Sequence, residues 1–143
     1  MRHFDRDIEQ LKELLLRMGA MVEDAISDSI RALLERDSAV AERVIAADDE
    51  IDQMELDIDQ HTVELIAKMQ PTAVDLRFVA TAMKITPELE RIADLAVDVC
   101  ERAVELNREP LLKPLIDIPR LARMAQDMVR QSLDSFVRRD ASL

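Results

Sequence analysis

The stretch from Gln70 to Asp98, QPTAVDLRFVATAMKITPELERIADLAVD, shows how the chain is organised. Its second residue is a proline, which suits the first turn of a helix because no backbone N–H is needed there. Apolar residues then recur every three or four positions, the period of an amphipathic helix. The stretch therefore predicts a long helix. Pro87 lies inside it and removes one backbone hydrogen bond, so we expect a kink or brief break near Thr86.

Two further helices of similar length are predicted before this stretch. Apolar residues keep a spacing of three and four from Phe4 to Ala32, and again from Val40 to Leu65. The first of these helices should end near Asp37, with Ser38 capping the second. The second should stop before Pro71, since the residue before a proline is pushed out of the helical region.

The composition indicates an all-α protein. The chain has 143 residues, a single glycine and only 2% aromatic residues, yet 48% are hydrophobic, which is enough for a core. Long helices joined by short turns can only run up, down and up. We predict an antiparallel three-helix bundle over residues 1–107, a Pro-containing linker over 108–119, and a fourth helix within 120–143.

The fourth helix repeats part of the first. At an offset of 103 residues, identical residues and apolar positions align in one register, for example Met124 with Met21 and Asp127 with Asp24. The chain thus contains one complete unit and the start of a second. A lone helix cannot bury its apolar face, and the three-proline linker is stiff. We therefore expect fourth helices to pair across copies, in a homodimer or higher oligomer.

Charge and apolar patterning narrow the functional class. Asp plus Glu outnumber Lys plus Arg by 30 to 19, and the net charge of −11 argues against nucleic-acid binding, which needs a basic face. No apolar run approaches the roughly 20 residues of a membrane span. A single cysteine is consistent with a reducing compartment. We expect a cytoplasmic protein without membrane insertion, whose surface attracts cations or basic partners.

Two stripes of carboxylates are the candidate binding residues. On the third helix, acids recur every four residues, and on the second they step by four, three and four; such spacings stack side chains on one side of a helix. If the stripes converge, they can hold cations that favour oxygen ligands; otherwise they are a solvated face. The candidate metal ligands are Glu90, Asp94 and Asp98 on the third helix and Asp48, Asp52, Glu55 and Asp59 on the second.

The other reactive side chains are better explained by packing. His61 lies at an apolar position between Ile58 and Leu65, which favours a core histidine over a ligand or phosphoacceptor. Cys100 lies beside the apolar face of the third helix. The sequence has no Ser/His/Asp arrangement, Gly-rich phosphate loop or zinc-ligand spacing, which favours a non-enzymatic role.

Taken in order, several pieces of the chain resemble the PhoU family of phosphate-signalling regulators. They are Phe4-Asp5, the Leu16-Arg17-Met18-Gly19 run, Val44-Ile45-x-x-Asp48-x-x-Ile51-Asp52-x-x-Glu55, Gln70-Pro71-x-x-x-Asp75-Leu76-Arg77 and Lys84-Ile85-x-x-x-Leu89-Glu90-Arg91-Ile92-x-Asp94. Together they extend from about Phe4 to Val104. Two positions depart from the family pattern: Asp98 is acidic where many relatives have an amide, and Ala93 replaces a usual glycine.

The resemblance implies a cytoplasmic accessory protein that represses the phosphate-starvation response. Its partners would be the phosphate ABC transporter and a sensor histidine kinase. It also implies that the family's acidic motifs bind metal cations. In this chain the motifs correspond to Glu90 with Asp94 and to Asp48 with Asp52. The ion would be iron, or another such as Mn, Zn, Ni or Mg. Two alternatives stay open: a carboxylate-rich metal-storing or redox bundle, and a purely structural bundle that oligomerises.

Overall fold

The computed structural model describes the backbone over residues 2–69, 73–110 and 117–138, and the side chains over residues 5–68, 74–110 and 118–138. Over these residues it has four helices and no strand: α1 (Arg2–Glu35), α2 (Ser38–Met69), α3 (Ala73–Leu106) and α4 (Asp117–Arg138). The prediction of an all-α protein is confirmed. The predicted helix start at Gln70-Pro71 lies outside the described residues. No described helix has an apolar stretch that is long enough to cross a membrane.

A tight turn between α1 and α2 makes these two helices antiparallel. Arg36 adopts the left-handed conformation with a φ of 55°, which commonly ends a helix. The N-cap of α2 is Asp37 rather than the predicted Ser38, because its Oδ1 accepts hydrogen bonds from the Ala39 and Val40 amides at 3.0 and 3.2 Å. The Ser38 hydroxyl instead accepts a hydrogen bond from Asn107 Nδ2 at 2.9 Å, at the end of α3.

The first three helices pack together along their apolar faces. Each of the three contacts the other two, as expected for a three-helix bundle. The buried core includes Leu11, Leu15, Met18 and Val22 on α1, Val44, Ile51, Ile58 and Leu65 on α2, and Val79, Leu89, Ala96 and Cys100 on α3. Each large apolar side chain contributes about 1.5–3 kcal/mol when it is fully buried, so this core is the main source of stability.

Helix α3 continues through Pro87 without the break that the sequence predicted. The Thr86 hydroxyl, which is fully buried, donates a hydrogen bond to the Ala82 carbonyl at 2.8 Å. Packing of α3 against both other helices outweighs the loss of one backbone hydrogen bond at the proline.

Helix α4 begins at Asp117, so that Pro119 lies in its first turn rather than in the linker. That position tolerates proline because its N–H would have no helical partner. Of the linker predicted over 108–119, residues 111–116 lie outside the description. The stiff linker does not keep α4 away from its own bundle, because α4 packs against α1 of the same chain.

The only glycine of the chain allows α4 to approach α1. A Cβ atom at Gly19 would overlap Cδ1 of Leu133, which is itself 5% exposed. The φ angle of this glycine is negative, so the position needs space rather than backbone freedom. Beside it, Arg130 pairs with Glu23 at 2.7 Å, and Gln126 Nε2 donates to the Glu23 carbonyl at 2.9 Å. These contacts define α4 as antiparallel to α1.

Candidate functional site

The acidic stripe of α2 lies along the side of the helix that faces α3. Asp48, Glu55 and Asp59 are half-buried, and Asp52 is exposed. Asp52 and Asp59 each follow a buried core residue, Ile51 and Ile58 respectively. Docking of α2 on α3 therefore draws these carboxylates towards the interface.

On α3, Glu90 and Asp94 meet the acids of α2. Glu90 is half-buried and Asp94 is exposed, and their side chains share a hydrogen bond. A solvated face was the alternative that the sequence left open for this stripe. Glu90 is instead half-buried, because it neighbours Leu89, which packs in the core with 4% exposure.

The strongest electrostatic perturbation falls on Glu90. Burial, the hydrogen bond with Asp94 and the charges of Asp94, Glu55 and Asp52 raise its pKa from 4.5 to about 7. Two of these charges belong to α2, so the interaction crosses between the helices. A raised pKa favours the protonated carboxyl, which donates the hydrogen bond to Asp94.

Two acids of α2 are perturbed in the same direction. Burial, and then the charges of Asp52, Asp94 and Asp49, raise the pKa of Asp48. Burial, and then the charges of Asp59, Asp52 and Asp94, raise the pKa of Glu55. Asp94 of α3 thus acts on both. We call the five converging residues the acid cluster: Asp48, Asp52, Glu55, Glu90 and Asp94.

One oxygen atom of the acid cluster, Asp48 Oδ1, is buried and has no hydrogen-bond partner among the residues that the structure describes. Buried carboxylate oxygens are normally hydrogen-bonded, so such an atom calls for an explanation, and an ion is one. Oxygen ligands of this kind suit Mg²⁺, Mn²⁺ and ferric iron. In the part of the chain that the structure describes, however, no three His, Cys, Asp or Glu side chains already stand in a geometry that could hold an ion. Binding would require the exposed members of the cluster to rotate inward.

The remaining predicted ligands lie at the margin or apart. Asp59 contributes its charge to Glu55 and so lies at one end of the cluster. Asp98 is exposed, and it is absent from the causes that raise the pKa of Asp48, Glu55 or Glu90. The structure therefore brings Glu90 and Asp94 together with the α2 stripe and leaves Asp98 aside.

The packing roles predicted for His61 and Cys100 agree with the structure. His61 is half-buried, and its Nε2 hydrogen-bonds the Asp7 carbonyl at 2.9 Å. Cys100 is fully buried, and burial together with the charges of Asp28 and Glu101 raises its pKa to about 11. A thiol with such a pKa stays protonated and is a poor nucleophile or metal ligand.

The contact between α1 and α4 was not predicted from the sequence. Its signal was visible, since Gly19 is the only glycine of the chain and lies mid-helix, where glycine is unfavourable. A glycine retained at such a position commonly marks the close approach of another element.

The family model for the PhoU domain matches residues 15–103, which include all of α2, the whole acid cluster and most of α1 and α3. The chain belongs to the PhoU family. Among solved structures, PhoU from Pseudomonas aeruginosa superposes with a TM-score of 0.91 at 37% identity, covering 97% of this chain and 67% of that one. The phosphate transport system regulatory protein PhoU from Streptococcus pneumoniae gives a TM-score of 0.86 at 25% identity, covering 97% of this chain and 65% of that one.

Curated PhoU relatives are named as accessory proteins of a phosphate-specific transport system. The phosphate-specific transport system accessory protein PhoU homolog of Aquifex aeolicus is 38% identical over 96% of this chain, and PhoU of Escherichia coli is 39% identical over 96%. The chain spans 62% and 57% of the length of these two relatives. PhoU proteins of this group are therefore accessory and regulatory proteins of phosphate transport.

Proposed function

We propose that this chain is a non-enzymatic, cytoplasmic regulator of phosphate uptake and phosphate-starvation signalling. It would act as an adaptor between a phosphate ABC transporter and a sensor histidine kinase. The observation that carries this proposal is the identity of 38–39% with PhoU accessory proteins over nearly the whole chain. Since the chain spans only part of those relatives, its partners are inferred from the region that the relatives share with it.

The surface of α2 supports an adaptor role. This helix contains nine acidic residues and two basic ones over Ser38–Met69. It also exposes Leu56 and Val63, which are seven residues apart and so share one face. An apolar strip with an acidic border fits a basic, amphipathic partner surface, and complementary charge speeds the encounter of such partners.

A bound cation would add to this surface. The acid cluster supplies only oxygen ligands, and Asp48 Oδ1 has no hydrogen-bond partner within the described part of the chain. We propose that Asp48, Asp52, Glu55, Glu90 and Asp94 hold a cation, with Asp59 at the edge and Asp98 outside. The ion would be iron, Mn, Zn, Ni or Mg. Burial is the main cause of the raised pKa of Glu90, and the ion would neutralise the carboxylate repulsion that adds to it. It could also bridge to an acidic group of a partner.

A metal-storing or redox bundle is the second candidate. It requires a protected site with open coordination positions. Asp52 and Asp94 are exposed, so an ion held by them would stay in contact with water. This exposure favours an exchangeable, regulatory or structural ion over a redox centre. Oxygen- or peroxide-dependent oxidation of Fe²⁺ by the purified chain would support the second candidate, a metal-storing or redox bundle.

A genetic experiment tests the regulatory proposal. Disruption of the gene should leave phosphate-starvation genes expressed in high phosphate, and a plasmid copy of the intact gene should repress them again. The Glu90→Gln/Asp94→Asn variant tests the role of the acid cluster, with Asp98→Asn as its matched control on the same helix. Unchanged expression after disruption would contradict the regulatory role. Full repression by the double variant would contradict the role of the cluster alone.

A further inference from the structure

The side of α2 and α3 that faces away from α1 carries exposed apolar residues beside the acid cluster. Five large apolar side chains there are between 38% and 61% exposed: Leu56, Val63 and Ile66 of α2, and Leu76 and Met83 of α3. Leu56, Val63 and Leu76 each precede a buried residue by two positions, which is a rotation of about 200° around the helix. They therefore point away from the core and from α1.

Helix α4 lies on the opposite side of α3 from these residues. Ile85 and Ile92 line the space between α3 and α4. They follow Met83 and Glu90 by two residues each, so they point about 200° away from them. The exposed apolar residues beside the acid cluster are thus turned away from α4 as well as from α1.

On α2 the apolar residues continue the line of the acids. Leu56 and Val63 follow Asp52 and Asp59 by four residues each, a spacing that keeps side chains on one side of a helix. The charge of Asp52 acts on the pKa of Glu90 in α3, so this side of α2 borders α3. Acidic and apolar side chains therefore alternate along the edge that α2 shares with α3.

On α3 the apolar residues precede the acids. Leu76, Met83 and Glu90 are seven residues apart and share one side of the helix. Since α3 follows α2 after a short connection, Leu76 lies near Ile66 at the end of α2. The two helices form one surface, which we call the outer face. It consists of Asp52, Leu56, Asp59, Val63 and Ile66 of α2 and Leu76, Met83, Glu90 and Asp94 of α3.

The outer face is acidic because the basic residues of the described parts of α2 and α3 lie on other sides. These are Arg43, Lys68, Arg77, Lys84, Arg91 and Arg102. Arg43 lines a cavity between α1 and α2, and Lys84 lines the space between α3 and α4. Arg77 and Arg91 stand seven residues from Lys84 and share its side. Lys68 lies about seven turns after Arg43, and so has the same direction. Arg102 likewise lies about five turns after Lys84.

We propose that the outer face binds a basic, amphipathic helix of a partner protein. This inference rests on the adaptor function proposed above and specifies the partner segment. Two helices packed side by side leave a groove that a third helix fills with anchors at i, i+4 and i+7. Apolar anchors of the partner contact Val63, Leu76 and Met83, and its lysines or arginines pair with Asp52 and Asp59. From residue 52 to residue 66 the face is about 21 Å long, which is four turns of a partner helix.

Charge selects this occupant over others. Helix α2 has nine acidic and two basic residues, an excess of seven negative charges. Two outer faces brought together from two copies of the chain repel each other, and phosphate-rich nucleic acids or anionic lipids are repelled as well. A basic helix is attracted, and the attraction speeds its encounter with the face. The apolar residues then supply contacts that an acidic surface by itself lacks.

A synthetic peptide tests the proposal with the intact chain and a chelator present. The probe is a fluorescein-labelled peptide of about 18 residues, long enough to form a helix, with leucines at i, i+4, i+7 and i+11 and lysines on either side of them. Its binding is measured by fluorescence anisotropy. We expect the chain to bind this peptide and not a version in which glutamates replace the lysines.

Two acid variants with equal changes in charge test the position of the contact. Asp52→Asn/Asp59→Asn should weaken peptide binding about fivefold, as expected for the loss of two surface ion pairs. Asp57→Asn/Glu64→Gln is the matched control, because these acids are also seven residues apart on α2. Asp57 precedes the buried Ile58 and Asp59 follows it, so the control acids lie on the other side of the helix. The control should bind the peptide like the wild type.

Two valine variants test the apolar part of the face. Val63 and Val74 are 56% and 57% exposed, and Val74 stands two residues before Leu76, so it points away from the outer face. Val63→Ser should weaken binding about fivefold through lost apolar contact, and Val74→Ser should leave it unchanged. Both valines are exposed, so circular dichroism should show the same helix content in both variants.

Equal losses in the two acid variants, or in the two valine variants, would overturn the proposal, because the contact would then lie elsewhere. A wild-type chain that does not bind the lysine peptide would overturn it as well. The gene disruption described above tests the regulatory role separately. If disruption leaves phosphate-starvation genes expressed in high phosphate while the peptide does not bind, only the outer-face proposal fails.

Discussion

The contact between Gly19 and Leu133 predicts that Gly19→Ala destabilises the chain when residue 133 is leucine and stabilises it when residue 133 is alanine. Replacing glycine by alanine inside a helix normally stabilises by about 1 kcal/mol. In this chain the new Cβ would overlap Leu133 Cδ1, although it would stand at an ordinary 3.7 Å from Cγ. Overpacking of this kind costs about 1–3 kcal/mol. We therefore expect Gly19→Ala to lower the free energy of unfolding by up to about 2 kcal/mol.

The leucine supplies the second arm of a double-mutant cycle. Leu133→Ala removes both atoms that a Cβ at position 19 would meet within 4 Å, and by itself it should cost about 2 kcal/mol or more as a buried Leu→Ala change. In that background, Gly19→Ala should stabilise the chain by about 1 kcal/mol, because only the gain in helix propensity remains. The coupling between the two positions is then about 1–3 kcal/mol.

Urea unfolding of the four proteins, followed by circular dichroism at 222 nm, measures this coupling. Melting temperatures should shift by about 2–4 °C for each kcal/mol. If Gly19→Ala stabilised both backgrounds equally, the positions would not be coupled, and α4 would not be seated on α1 through Leu133. A fall in stability in both backgrounds would also contradict the prediction, because the clash would then come from a residue other than Leu133.

Three further predictions concern the acid cluster and the α1–α2 turn. The pKa of Glu90 rises from 4.5 to about 7 in the folded chain, so folding favours its protonated form. With chelator present, the free energy of unfolding should therefore fall as the pH rises from 4.5 to 7. Glu90→Gln should flatten that decline, as measured by urea titrations at each pH. Adding Mn²⁺, Fe³⁺, Zn²⁺ or Ni²⁺ should raise the melting temperature of wild type and of Asp98→Asn but not of Glu90→Gln/Asp94→Asn; equal responses of all three would contradict the site. Arg36 has a φ of 55°, and its guanidinium donates a hydrogen bond to the Leu106 carbonyl at 2.9 Å. The Arg36→Gly variant should be about 1 kcal/mol more stable than Arg36→Ala. Both variants lose the hydrogen bond, but only glycine is unstrained in this conformation. Equal urea midpoints for the two variants would contradict the left-handed conformation.

The helices and the candidate ligands could both be predicted from local patterns in the sequence. Spacing of apolar residues predicted three long helices from local pattern alone, since the helical period places side chains on one face irrespective of what they meet. The same period identified the acidic stripes. Two predictions from local residue type were wrong. Asp37 rather than Ser38 caps α2, and α3 is not broken at Pro87, because packing against both other helices holds it.

Tertiary structure decided which of those residues come together. No local pattern distinguishes Asp98 from Asp94, because both continue the same spacing of four; only docking of α3 on α2 brings Asp94 to Asp48 and Glu55 and leaves Asp98 in solvent. The position of α4 is likewise set by a contact between residues 114 positions apart, Gly19 and Leu133. Linker stiffness suggested the opposite arrangement. Burial of Leu133 against Gly19 and the Arg130–Glu23 ion pair beside it stabilise the packed arrangement, whereas the linker imposes only a weak local preference.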